Sequence, residues 1–357
     1  MGIMSKNKLF MYLLSSAGTP VSFKGATKTL RCILLSGTFD APAKCLFQEF
    51  CQFNAYFGCP YCLTPGEAVK TSAKGCTHAY PFNEANLETG HGQDRTHKQT
   101  QEFAASAMRQ TAVDGKPSSV NGVKGYSWAM FIPKFDIIRG VGIDYMHCAL
   151  LGVVKMLLSL WVNKHYHKEP WSLSKKLNDI DKRLLRIKPP SCISRLPRSL
   201  ATNFKHLKAS ELRTFLLFYS VPCLYGLLPE EYFQHFLLLI ESVYLLLQDS
   251  ISLNDLNKAT KMLKHFCIKV TSLYGPRYET YNVHCLLHLT KRVHDLGPLW
   301  THSCFCFEDF NGELRRLFHG TQVWYNRLSL LSTFNRRYQS WFPCFKMGLQ
   351  PKPFLKK

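Results

Sequence analysis

Apolar and polar positions divide the chain into two short strand-like runs, a polar stretch between them, and a long region of helical spacing. Residues 29–39, "TLRCILLSGTF", are a nearly continuous apolar run containing β-branched residues, which predicts a buried strand with Asp40 at its C-terminal end. From Cys59 to about residue 123 Gly, Thr, Asn, Gln and His dominate, centred on "TGHGQDRTHKQTQ", and the expectation there is loop. A second apolar run, "FDIIRGVGIDYMH" at residues 135–147, predicts another strand closing on Asp144 and His147. Residues 149–273 then carry segments such as "ALLGVVKMLLSLWVNK" and "EEYFQHFLLLIESVYLLLQ", whose apolar spacing predicts helices. Ser252, with Asp255 three residues later, has the pattern of a capping box, and Pro189-Pro190, Pro222 and Pro229 are expected to separate the elements. Two further helices are expected in "YNVHCLLHLTKRVHDLG" and "FCFEDFNGELRRLFHG", each ending on glycine.

A chain of 357 residues, 46% of them apolar, is long enough to bury a real core. Charge narrows the partners. Lys and Arg number 45 against 24 Asp and Glu, a net +21, which favours a polyanion and nucleic acid over an anionic membrane. The most apolar run, "HFLLLIESVYLLL", is broken by Glu241 and too short to span a bilayer. Fourteen cysteines without a paired framework or a leader pattern point to reduced thiols or metal ligands, and so to cytosol or nucleus.

Two constellations carry candidate chemistry. Cys59-x-x-Cys62 reads as a zinc half-site, a redox pair or two buried thiols, and no thioredoxin-like βαβ pattern surrounds it. His284 and His288 are spaced i, i+4, so on a helix both imidazoles project from one face and supply the two ligands a half-site lacks. The alternative is a pair of partly buried histidines satisfied by hydrogen bonds. Cys76 with His78, and His91 with His97, are less well spaced candidates for a second metal site. Asp40 and Glu308 are the acids that a pair of divalent ions would need, since Mg2+ takes hard carboxylate ligands. Arg183, Arg186, Lys188, Arg195, Arg198, Lys205 and Lys208 are candidates to follow a DNA backbone, or else a solvated helical face.

The blocks "DAPAKCLFQEFCQFNAYFGCPYC", "GIDYMHCALLGVVKMLL", "YNVHCLLHL" and "LGPLWTHSCFCFEDFNGEL", in this order, resemble the transposase of CACTA (En/Spm-type) cut-and-paste elements, over roughly residues 30–325. That family is similar to the V(D)J recombinase and Transib transposases. The resemblance implies a ribonuclease H-like fold, a DDE acid triad that holds Mg2+ or Mn2+, a Cys2His2 zinc site, DNA as partner and the nucleus as compartment. In that scheme the second triad Asp lies up to two dozen residues ahead of the Cys pair, and the triad Glu a similar distance beyond the His pair. Asp40 precedes Cys59 by 19 residues and Glu308 follows His288 by 20. The resemblance therefore implies Asp40 and Glu308 as metal-holding acids and Cys59, Cys62, His284 and His288 as zinc ligands. Zinc would then tie the loop after the central strand to the helix ahead of Glu308. Asp144 and His147 match the family's Asp-x-Met-His; they would lie near the scissile phosphate, or form a structural hydrogen bond at a strand-to-helix corner.

The pattern fails at one point: residues 1–39 contain no Asp or Glu, so the first triad acid has no candidate ahead of Asp40. The expectation is a chain truncated at its N-terminus, with catalysis lost because a catalytic unit missing one member loses most of its activity. An incomplete sheet would leave a strand edge for a partner chain or a second copy. The expected architecture is α/β: a partial ribonuclease H-like core over 1–148, an all-helical insertion over 149–275, the His-pair and Glu helices over 276–330, and a basic tail over 331–357.

Overall fold

The structure, a computed structural model, describes residues 19–23, 25–30 and 33–317. The chain divides into two compact units, residues 1–305 and residues 306–357. Among the described residues it is mixed but mostly helical, with three two-stranded sheets. The expected basic tail, residues 331–357, lies outside the described residues.

Strands β1 (Thr19–Phe23) and β2 (Ala26–Leu30) form an antiparallel hairpin. β3 (Gly37–Phe39) is followed by helix α1 (Ala41–Gln48). The continuous buried strand expected over residues 29–39 is not formed: Thr29 and Leu30 belong to the hairpin, Ile33 and Leu35 are exposed, and only residues 37–39 pair with β6. The stretch expected to be loop is also more ordered than its composition suggests. It holds a second hairpin, β4 (Glu67–Lys70) and β5 (Cys76–Ala79), and helix α2 (His97–Asp114). Thr96 starts α2 as its N-cap, accepting from the Gln99 N–H at 3.2 Å, and Gly115 ends it at φ 65°. Polar composition concealed this helix because its buried face is small, consisting of Thr100, Ala104 and Ala107.

β6 (Val141–Ile143) is buried and pairs in parallel with β3, Phe39 opposite Ile143, so Asp40 and Asp144 occupy matching positions just past two adjacent strand ends. Gly142 keeps this pair close to residue 302; a Cβ there would stand 3.1 Å from His302 Nδ1 and 3.2 Å from Thr38 Oγ1.

The helical region follows. α3 covers residues 146–162, a wide π segment Met146–Val154 continuing as an ordinary helix Lys155–Val162. α4 is Leu177–Leu185. α5 covers residues 209–224 with a π segment at Phe215–Tyr219. Pro222 was expected to break the chain here and does not. A proline clashes with the carbonyl four residues back, and the wide turn just before it makes room. α6 (Glu230–Leu246), α7 (Leu253–Tyr274) and α8 (Tyr281–Leu296) pack in series, α6 on α7 and α7 on α8, burying Phe236, Phe266 and Leu286. α9 is Phe305–Leu317. Among the described residues no helix is long and apolar enough to cross a membrane.

The capping box at α7 forms as its sequence predicts: Ser252 Oγ accepts from the Asp255 N–H at 3.1 Å, and the Asp255 carboxylate accepts from the Ser252 N–H. Ser252→Ala is expected to cost about 1 kcal/mol in urea denaturation. A change under about 0.3 kcal/mol would show that packing of α7 alone sets its start.

Candidate metal centre

Cys59, Cys62, His284 and His288 come together in one fully buried group that could hold a metal ion. α8 presents the two histidines on one face, and Arg292, one more turn along, continues the same buried row. Cys62 Sγ lies 3.2 Å from His284 Nε2, Cys59 Sγ lies 3.6 Å from His288 Nε2, and the two Nε2 atoms are 3.3 Å apart. Tetrahedral zinc, with bonds of about 2.3 Å to sulfur and 2.0–2.1 Å to nitrogen, would set these edges at roughly 3.6 and 3.3 Å. Both cysteines are free thiols, so the redox-pair alternative finds no disulfide here. The four donors therefore fit a tetrahedral metal in chemistry and in spacing.

The electrostatics suit a ligand set. Burial pushes the Cys59 thiol up, but the neighbouring Cys62 thiol and the two imidazoles outweigh it and hold Cys59 well below the ordinary thiol range. Cys62, buried beside that thiolate, is held well above it. Burial lowers His288 to about 4, which keeps it in the neutral form a metal requires.

Residues not singled out in the sequence build the knuckle around these donors. Arg95, 3% exposed, donates from Nε to the carbonyls of Cys59 and Cys62 at 2.9 and 3.1 Å. Thr64 Oγ1 sits 3.1 Å from Cys62 Sγ and accepts from the Gly92 N–H at 2.7 Å. A Cβ at Gly92 would come within 2.9 Å of the Leu63 and Thr64 backbone, so a larger residue would push this strand away. Tyr61, between the two cysteines, donates to the Gly142 carbonyl of β6 at 3.0 Å and accepts from Lys44 Nζ at 2.8 Å. The metal group is thereby bonded to the strand that ends at Asp144. No spacing rule flags Arg95 or Thr64; the only sequence signal was the Gly- and His-rich composition around them.

The other candidate residues fall differently. Asp144 is 2% exposed and accepts five hydrogen bonds: from Met146 N, Ser303 Oγ and Cys304 N at Oδ1, and from His147 N and Nδ1 at Oδ2. Burial opposes its charge, but the His147 imidazole and the backbone donors outweigh that and lower its pKa. This is the hydrogen-bonded strand-to-helix corner, one of the two readings the sequence left open. Asp40 is half-buried and caps α1, accepting from the Ala43 N–H at 2.8 Å. Glu308 is exposed in the first turn of α9, within the second unit. Asp144, His147 and Cys304 form another close set of potential ligands, and His91, Asp94 and His288 a third. Cys76 and His78 enter no such group among the described residues. His97 is drawn away from His91, accepting from the Ile137 N–H at 3.1 Å.

Of the basic residues, two have structural duties. Arg183 donates to the carbonyls of Pro222, Cys223 and Tyr225 at the end of α5, and Arg198 pairs with Glu211 at 2.7 Å. Arg186, Lys188, Arg195, Lys205 and Lys208 are exposed and make no ion pair among the described residues.

Compared with models of known protein families and with curated proteins, the chain matches none.

Proposed function

We propose that this chain is a transposase-derived DNA-binding protein, stabilised by structural zinc, that binds DNA in the nucleus without cleaving it. The observation that carries the reading is the buried Cys2His2 group, assembled across 222 residues and bonded through Tyr61 to a parallel strand pair with an acid just past the C-terminal end of each strand. Two thiolates and two imidazoles in tetrahedral spacing favour zinc over the harder divalent ions. The arrangement follows the order of acids and ligands that the CACTA resemblance implies, and the strand pair is taken as the remnant of a ribonuclease H-like sheet.

The ancestral chemistry on this reading is Mg2+- or Mn2+-dependent DNA strand cleavage and transfer, which needs several carboxylates with free oxygens around the ions. Asp40 and Glu308 are the acids assigned to it. Asp144 has both oxygens committed to five donors and cannot be recruited as a third without breaking its corner. His147 is assigned to hold Asp144 rather than to contact phosphate. Support for DNA as partner comes from the net charge and from a cleft of about 390 Å3, where Arg195 and Arg213 stand beside the exposed rings of Phe218 and Trp300. Arginines for the backbone and aromatic faces for bases are the usual means of holding an unpaired strand. The alternative, a zinc-stabilised nuclear DNA- or protein-binding module of other descent, is favoured by the same Asp144 saturation. It shares the expectations for zinc and for Asp144, and a protein-binding module would differ by showing no salt-dependent duplex binding.

Electrophoretic binding to labelled duplex should weaken steeply with salt, and Lys205→Ala with Lys208→Ala should reduce the log–log slope by about 2. An unchanged slope would remove this face from the interface. No Mg2+- or Mn2+-dependent nicking is expected. Nicking that disappears in both Asp40→Ala and Glu308→Ala would overturn the non-cleaving part of the proposal.

A further inference from the structure

Behind the metal group lies a second feature that the DNA reading does not use. A cavity of about 220 Å3 opens between the cysteine knuckle, the start of α2 and the outer turns of α8. Arg95, Arg139, Lys291 and Arg292 line it, together with Thr96 and the ring of Tyr61. Three acids answer these four cations. Asp94 pairs with Lys291 at 2.6 Å. Asp295 is shared by Arg139 at 2.7 Å and Arg292 at 2.8 Å. Asp136 turns Oδ1 to the Ile138 and Arg139 N–H groups at 2.8 Å each. One positive charge is left over, and it belongs to Arg95, whose hydrogen-bond partners are all backbone carbonyls.

Two orphan donors sit in the same wall. Arg95 is 3% exposed and its Nη1 has no partner; Arg292 is 2% exposed and its Nε has none. No carboxylate answers the buried Arg95 guanidinium; the charge of the cysteine pair beside it favours its cationic form, but a zinc ion bound by those thiolates would neutralise that charge, and an unpaired buried N–H adds to the cost. The N-terminus of the 18-residue α2 also opens here, with Thr96 as its cap, and contributes the partial positive charge of a helix start. Surplus charge, two buried arginines that each keep one N–H unpaired, and a helix N-terminus line one space.

We propose that this cavity binds a phosphate group, either inorganic phosphate or the terminal phosphate of a DNA strand. Arg95 and Arg292 give the anion their free N–H groups, Lys291 screens its outer side, and the start of α2 stabilises its charge. Arg95 also holds the carbonyls of both cysteine ligands, so occupancy of the cavity would brace the metal knuckle. The proposal stands on the cavity and not on the DNA reading.

Calorimetric titration of the zinc-loaded protein, at ionic strength held constant with chloride, tests it with three probes: inorganic phosphate, a 5′-phosphorylated trinucleotide and the same trinucleotide without the phosphate. Saturable uptake of one phosphate per chain is expected, weakened at least fivefold in Lys291→Gln with metal content unchanged. Arg95→Gln is expected to abolish it; should that variant fail to fold, the wild-type and Lys291→Gln titrations still decide. A phosphorylated trinucleotide bound at least tenfold tighter than its partner supports a DNA end as ligand, and equal weak binding of the two with saturable inorganic phosphate supports the free anion. Heat indistinguishable from chloride for every probe would overturn the site. Duplex binding that persists in that case would leave the DNA reading standing.

Discussion

Cys59→Ser is expected to empty the metal centre and cost the fold more than about 4 kcal/mol. Burial raises both thiols, but the Cys62 thiol and the two imidazoles outweigh it at Cys59 and hold that thiol well below the ordinary range, while burial keeps His288 neutral; with zinc bound, Cys62 would lose its proton as well. A serine hydroxyl stays protonated at neutral pH and is a poor ligand, so four donors become three. Metal-binding energy is folding energy when the ligands are scattered in the unfolded chain, and here Cys62 and His284 are 222 residues apart. In small zinc peptides that energy is about 10–16 kcal/mol. The effect here is smaller because the helices carrying Trp161, Phe236 and Phe266 keep a core of their own. Elemental analysis should fall from about one zinc per chain to under a tenth, and the denaturation midpoint should drop with it. Cys76→Ser, on an exposed strand position, should alter neither. Unchanged zinc and midpoint in Cys59→Ser would remove the metal from the account.

The metal group was legible in the sequence for a local reason. A Cys-x-x-Cys and an i, i+4 His pair each encode their geometry within five residues, and a buried ion then joins them without regard to the chain between. Long-range partners have no such code. Arg95 meets Cys59 and Cys62 only because residues 61–63 and 93–95 lie side by side, through Leu63 N to Gln93 O and Arg95 N to Tyr61 O, and neither stretch has strand periodicity. The helices of residues 149–273 showed themselves by apolar spacing, as did α8. The β elements did not. β3 and β6 are three residues each, too short for alternation to be read, and the apolar Ile33 and Leu35 ahead of β3 face solvent. Length of the apolar run overstated the strand, whereas the position of the acid beyond it was correctly placed by its end.

Asp144 tests whether the acid-tipped corner is structural, and it gives the second large effect. Asn replaces Asp144 with nearly the same shape but offers one acceptor oxygen, and its amide presents donors where two or three N–H and O–H groups already point inward. At least two of the five donors lose their partner in a site 2% exposed. The expected loss is about 3 kcal/mol by chemical denaturation. Asp40→Asn should cost no more than about 0.5 kcal/mol, because Asn caps a helix as well as Asp does. The pH dependence gives a second readout for Asp144. The folded pKa of Asp144 lies below its usual 3.8, so the stability it confers is fully present above pH 3.8 and is lost as pH falls through the lowered folded value. Stability of the wild type should therefore fall more steeply than that of Asp144→Asn below pH 4, with the two curves converging in acid. Parallel curves, or an Asp144→Asn variant as stable as wild type at pH 7, would mean that the carboxylate is dispensable to the corner and is held there for another use.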